Sequence, residues 1–225
     1  MVSQNKQYNK FAEEFNGLHK GLDKVTNLSY YSYFDENLKN KTLLDLGCGE
    51  GVDIKYFDKL GANSYGIDSS EKMVEISNKK YEKSNNKIRL GYFENIPFKD
   101  NTFDVVCSKY SIQTSENIEP IYREVKRVLK KNGEFIFLVV HPIRQFIEKK
   151  KKQKDYFKKE IVDSILFSGK LVVCEPTHTI SEYLSPYFLN NFEILGFDEK
   201  YDPSNAEEIN GDKYPAFMII KARLK

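Results

Sequence analysis

A chain of 225 residues with 40% hydrophobic content is long enough for one α/β core and short for two. A net charge of +2 and the lack of any apolar run of membrane-spanning length exclude a protein that crosses a bilayer or draws nucleic acid by its overall field. The three scattered cysteines, Cys48, Cys107 and Cys174, lack metal-type spacing and predict reduced thiols and no bound metal. With a polar start that has no signal-peptide core, they point to a soluble cytoplasmic protein.

Residues from about 6 to 38 read as helical, with Tyr8, Phe11 and Phe15 at helical spacing. Strand and helix signals then alternate. "KTLLDLG" is a buried strand, and "VDIKYFDKLG" a helix stopped by Gly61. "NSYGID" is a strand, and "SSEKMVEISNKKYEK" a helix capped by Ser69 or Ser70. "KIRLGYF" and "NTFDVVCSKY" are strands. "NIEPIYREVKRVLKKNG" is a helix with an early proline and a terminal glycine, and "EFIFLVV" follows as a strand. Such repeated β-α-β units build a parallel sheet with helices on both faces. After Val140 the alternation breaks. "HPIRQFIEKKKKQKDYFKKE" reads as a surface helix with a solvated lysine run. "IVDSILFSGKLVVCEPTHT" reads as two short strands joined around Ser168-Gly169. A helix "ISEYLSPYFLN" and strands "FEILGFDE" and "YPAFMIIKARL" close the chain. One domain over 1–225 is expected, with residues 141–178 inserted as a lid over the ligand crevice at the strand C-termini.

"LLDLGCGEG" demands more than a strand. Gly47, Gly49 and Gly51 stand at alternate positions, where a backbone turns tightly or another group comes close. A dinucleotide loop would read G-x-G-x-x-G. Here the spacing is shorter, and Asp45 just ahead of it would repel a pyrophosphate but suit a cationic ligand such as an amino group. Asp68, ending the second strand, can take both hydroxyls of a ribose. The glycine spacing and Asp45 argue against a nicotinamide oxidoreductase.

"LLDLGCGEG", "YGIDSSEKMVEIS", "FENIPFKDNTFDVVCS" and "REVKRVLKKNGEFIF" together resemble the successive motifs of class I S-adenosylmethionine-dependent methyltransferases. The resemblance covers residues 8–140, and the tail is similar to that of small-molecule members. It implies a Rossmann-like, doubly wound, seven-stranded sheet, mostly parallel with an antiparallel last strand. It also implies S-adenosylmethionine as cofactor and S-adenosylhomocysteine as product. By the same resemblance Asp45, Gly47, Cys48 and Gly49 surround the methionine part, and Asp68 binds the ribose. Ser69 and Met73 flank the adenine, and Ser108 lies near the sulfonium. Tyr8 and Phe15 belong to an N-terminal helical lid within residues 1–38. Many relatives carry an acid and a small residue before E-x-x-P-F, where this chain has Tyr92 and Phe93. Stacking by Phe93, backbone groups, or Glu94 are then the ways to hold adenine.

For the acceptor side, His141 leaves the fifth strand ahead of a proline, and His178 ends the insertion. With Tyr110 they are the candidate catalytic residues, since imidazoles titrate near neutral pH. Gln113 and Arg144 are candidate substrate-binding residues, Arg144 for an anionic group. The expected activity is methyl transfer to a nitrogen, oxygen or carbon of a small molecule in a biosynthetic role, by a monomer or homodimer. The expected partners exclude nucleic acid and membrane. A methyltransferase of protein or RNA, and a non-catalytic S-adenosylmethionine-binding protein, are the alternatives.

Overall fold

The computed structural model describes residues 4–15, 24–81, 87–152, 154–166, 171–203, 208 and 211–225. Residues 16–23 of the expected N-terminal helix and the Ser168-Gly169 turn lie outside them. Two helices open the chain, α1 (Gln4–Phe15) and α2 (Lys24–Tyr31). Then come β1 (Thr42–Leu46), α3 (Val52–Lys59), β2 (Asn63–Asp68), α4 (Glu71–Lys80), β3 (Ile88–Leu90) and β4 (Phe103–Lys109). A short 3-10 turn (Ile112–Thr114) precedes α5 (Glu119–Val128) and β5 (Leu129–Val140). The insertion holds α6 (Pro142–Arg144), a π turn (Gln145–Lys149) and the hairpin β6 (Ile161–Leu166) and β7 (Leu171–Pro176). The chain ends with α7 (Ile180–Tyr183), α8 (Pro186–Asn191), β8 (Phe192–Lys200) and β9 (Phe217–Leu224).

Seven strands form one sheet in the order β3-β2-β1-β4-β5-β9-β8, and β6-β7 stand apart as a second. β1 to β5 pair in parallel, and β9 runs antiparallel to both its neighbours. The order reverses beside β1, which opens a crevice at its C-terminal end. Strand alternation sorts the core into two layers. Phe135, Phe137 and Val139 of β5 join Tyr122, Val125 and Phe188 on the α5 and α8 side. Ile136 and Leu138 join Tyr30, Phe34 and Phe57 on the other side. The same parity puts Leu44 and Leu46 of β1 in the first layer and Leu43 in the second, so Asp45 points toward the α2 and α3 side.

Three expectations need correction. α5 stops at Val128 rather than at Gly133, because Leu129 turns extended and pairs with Phe103. Residues 141–160 are not one helix. Among the described residues of that span only α6 and the π turn are helical, and Lys150 is buried with its ammonium donating to the carbonyls of Asp155 and Lys158. The helix expected over 180–190 is broken, since Pro186 has no N–H to continue it, and Ser185 caps a new helix by accepting from Phe188 N–H. Of the two serines expected to cap α4, Ser70 does so, accepting from Met73 N–H at 3.1 Å.

Candidate active site

The turn from β1 into α3 is built by left-handed backbone. Gly47 and Gly49 have φ of 71° and 51°. A Cβ on Gly47 would stand 2.4 Å from Ser111 Cβ, so the loop after β4 packs directly on bare backbone. Ser111 Oγ also donates to the Gly47 carbonyl at 3.0 Å. A Cβ on Gly49 would meet nothing within 4 Å: that position faces open space. Cys48 turns inward instead, and its sulfur fills the gap left by the missing side chain of Gly66. Asp68 ties the loop to the next helix. Its Oδ2 accepts from Gly49 N–H and its Oδ1 from Ser70 N–H, both at 2.9 Å.

These residues wall one cavity of about 390 Å³. Of the expected cofactor residues, Tyr8, Phe15, Asp45, Gly47, Cys48, Gly49, Asp68, Ser69, Met73 and Phe93 line it. Ser108 does not: it is fully buried and donates to the Leu46 carbonyl at 3.1 Å. Glu94 does not line it either: it is exposed and accepts from Ser115 Oγ at 2.8 Å. The end of β4 also brings Lys109, whose ammonium donates to Asp53 Oδ1 at 2.7 Å and Asn27 Oδ1 at 3.1 Å. Tyr31 OH donates to the same Asp53 oxygen. Lys109, Asp53 and Asn27 line the cavity and were absent from the sequence-based set. The clue was there: Asp53 opens the helix after the glycines, and Lys109 ends a strand between two candidates.

α1 closes one side of this space through two side chains. The Gln7 carboxamide bonds both the C=O (2.9 Å) and the N–H (3.0 Å) of Cys174, like a third strand on the open edge of β7. Asn9 Oδ1 accepts from Ser70 Oγ and Lys72 N–H at the start of α4.

Residues 44–137 match a protein family described as a methyltransferase domain. The chain is 36% identical over 102 residues to the ubiquinone biosynthesis O-methyltransferase of Pelagibacter ubique, covering 44% of this chain and 42% of that protein. It is 31% identical over 124 residues to the sterol 4-C-methyltransferase of Caenorhabditis elegans, covering 53% and 36%. It thus spans less than half the length of these two curated relatives. The crystal structure of an S-adenosylmethionine-dependent methyltransferase from Mesorhizobium loti shares the fold. The TM-score is 0.71 at 19% identity, over 87% of this chain and 96% of that one. Over residues 44–137 the chain is thus similar to methyltransferase domains, and it shares their fold.

The residues present fit that family's cofactor. Asp45 is 2% exposed, and among the described residues its hydrogen-bond donor is only the Cys107 thiol, 3.9 Å from Oδ1. Burial, then the nearby Asp53 charge, pushes its carboxyl well above the usual range, against the pull of Lys109. A carboxylate so poorly paired suits an ammonium group arriving from the cavity. Asp68 accepts from the backbone N–H groups of Gly49, Ser70 and Ser69, and a carboxylate's four lone pairs leave room for a hydroxyl.

The candidates expected on the acceptor side divide. Tyr110, Gln113 and Arg144 line the cavity. Tyr110 has a φ of 55°, rare for a residue with a side chain, and its hydroxyl lies 3.3 Å from Thr26 Oγ1. Neither histidine is on the wall. His141 Nδ1 accepts from Ile143 N–H at 3.1 Å, capping α6, and Nε2 sits 2.6 Å from Glu199 Oε1 on β8. Both ring nitrogens are used to hold the fold. His178 Nε2 lies 3.0 Å from the Gln113 carbonyl. Its Nδ1 is 3.3 Å from Glu182 Oε2 but off the line of a hydrogen bond. The imidazoles therefore brace the elements that carry Gln113 and the insertion. Their place on the wall is taken by Lys149, Ser164 and Glu175. One signal for Glu175 existed: an acid at the inward parity of "LVVCEP".

Proposed function

We propose that this chain binds S-adenosylmethionine over the glycine loop and transfers its methyl group to a small molecule held under the insertion. The observation that supports this most is continuity. One cavity runs from Asp45, Gly49 and Asp68 to Gln113, Ser164 and Glu175. Bound there, the cofactor supplies a methyl group already activated on a sulfonium. Asp45 would take the ammonium and Lys109 the carboxylate of its methionine part, Asp68 the ribose hydroxyls. Met73 and Phe93 would sandwich the adenine. The chain's own work is then mainly to align an acceptor with the methyl carbon. α1, through Gln7 and Asn9, and the β6-β7 hairpin exclude water from the space between. A concave cavity of about 390 Å³, walled by α1 and the hairpin, favours a small acceptor over a protein or an RNA.

The test is calorimetric titration with S-adenosylhomocysteine, followed by transfer of labelled methyl to fractionated metabolites, protein and RNA. Micromolar binding, about −8 kcal/mol, and label in the metabolite fraction are expected. No binding by the wild-type chain would defeat the reading. Label confined to protein or RNA would defeat the small-molecule part of it.

A further inference from the structure

The acceptor end of the cavity is assembled from the turn after β4, the π turn and the hairpin, and one carboxylate joins all three. Glu175 is 2% exposed. Its Oε1 accepts from Lys149 Nζ at 2.7 Å and from the Ser164 hydroxyl, with Gln145 Nε2 at 3.5 Å. Its Oε2 accepts from Gln113 Nε2 at 3.1 Å. Gln113 cannot flip, because Val140 N–H holds its Oε1 at 2.8 Å. Burial would raise the carboxyl's pKa, but Lys149, Ser164 and Gln113 together pull it below its ordinary value, which keeps it ionised. Oε1 is thus fully used, while Oε2 has one donor and a second lone pair to fill. Glu175, Gln113, Ser164 and Lys149 all line the cavity, beside apolar Val140, Leu166 and Val173. The charges on this wall are balanced: Lys149 pairs with Glu175, and Arg144 Nε with Glu148 at 2.8 Å.

We propose that Glu175 anchors the methyl acceptor: its Oε2 receives an N–H or O–H of a small, uncharged molecule whose apolar body lies against Val140, Leu166 and Val173. The proposal rests on the methyltransferase reading of the cavity and narrows it to nitrogen and oxygen acceptors. A carboxylate brought here would face Glu175 in a space already neutral, with no cation unpaired. A group without a hydrogen to donate would leave a buried carboxylate lone pair dry. The donor bond also aims the reaction. With its hydrogen on Oε2, the acceptor atom turns its lone pair toward the methyl carbon. The new C–N or C–O bond forms as the C–S bond breaks, its electron pair staying on sulfur. The positive charge passes to the acceptor atom beside Glu175, where the carboxylate stabilises it. The hydrogen held on Oε2 then leaves as a proton through that carboxylate to water.

Four probes of one shape test this: 4-ethylphenol, 4-ethylaniline, 4-ethylanisole and 4-ethylbenzoate, titrated into the full chain saturated with S-adenosylhomocysteine. The phenol and the aniline should bind about tenfold or more tightly than the other two, as expected for a hydrogen bond to a charged group. Glu175→Gln should narrow that preference to about threefold or less while leaving S-adenosylhomocysteine affinity unchanged, since the charge on the acceptor is lost. Ser164→Ala keeps the carboxylate and should keep the preference. A residue that only supported the hairpin would not set the ranking of these probes. Equal binding of all four, tighter binding of the benzoate, or no binding of the phenol and aniline overturns the proposal. Failure of S-adenosylhomocysteine itself to bind overturns the reading beneath it, and the proposal with it.

Discussion

Alanine at Gly47 and at Gly49 probes the loop in two different ways. Both residues are left-handed, with φ of 71° and 51°, which costs an L side chain about 1–2 kcal/mol. At Gly47 the new methyl would also lie 2.4 Å from Ser111 Cβ and 2.6 Å from Ser111 Oγ. Ser111 cannot yield freely, because its hydroxyl holds the Gly47 carbonyl. Relieving that overlap adds about 1–3 kcal/mol. Gly47→Ala should therefore lose about 2–5 kcal/mol and melt roughly 4–20 °C lower. At Gly49 the methyl meets no atom within 4 Å, so the backbone cost stands alone, about 1–2 kcal/mol or roughly 2–8 °C. That same methyl stands in the cavity, against the place assigned to the cofactor. Gly49→Ala should weaken S-adenosylhomocysteine binding about tenfold or more, 1.4 kcal/mol at least. Scanning calorimetry and isothermal titration on the two variants measure both quantities. Equal melting losses, or wild-type affinity in Gly49→Ala, would refute the reasoning.

Asp68→Ala leaves the N–H groups of Gly49 and Ser70 without their acceptor; it should cost about 1–3 kcal/mol in stability and a similar amount in S-adenosylhomocysteine affinity, and a loss in urea denaturation alone, without one in titration, contradicts the ribose role. His141→Ala should lower stability by about 1–3 kcal/mol and leave cofactor affinity unchanged, because His141 braces α6 and β8 and does not line the cavity. Burial pushes the His141 imidazole below its ordinary 6.5, against the pull of Glu199. The unfolded chain then takes a proton that the folded chain refuses, so stability is full above pH 6.5 and falls as pH drops toward the folded value. His141→Asn should flatten that fall, and identical urea midpoints against pH in both proteins would show the shift is absent. Gln7→Ala removes two bonds to Cys174; amide exchange in residues 4–15 should quicken, with little change in the melting of the rest, and unchanged exchange would mean that α1 is held by other contacts.

What the sequence determined by itself is the glycine-turn half of the cavity. β1, its glycine turn and the Asp68 strand end are contiguous pieces in which each backbone conformation is dictated by the residue present. "LLDLGCGEG" and "YGIDSS" could be placed without knowing their neighbours, and the β-α alternation carried the sheet. Local patterns failed where a distant contact outweighed propensity. α5 ended early because Leu129 found Phe103. The lysine run gave up its helix, with Lys150 turned inward onto two carbonyls. The acceptor half was decided by tertiary structure throughout. A position at a strand end says that a side chain is near the crevice, not which way it points. His141 turned to Glu199, 58 residues away, and Gln113 reached Glu175, 62 residues away. Such pairings depend on how the insertion and α1 dock on the sheet, through bonds like Gln7 to Cys174 that no periodicity announces. The glycine-turn half of the cavity is written locally because one turn holds most of it, whereas the opposite wall exists only once remote segments have packed against one another.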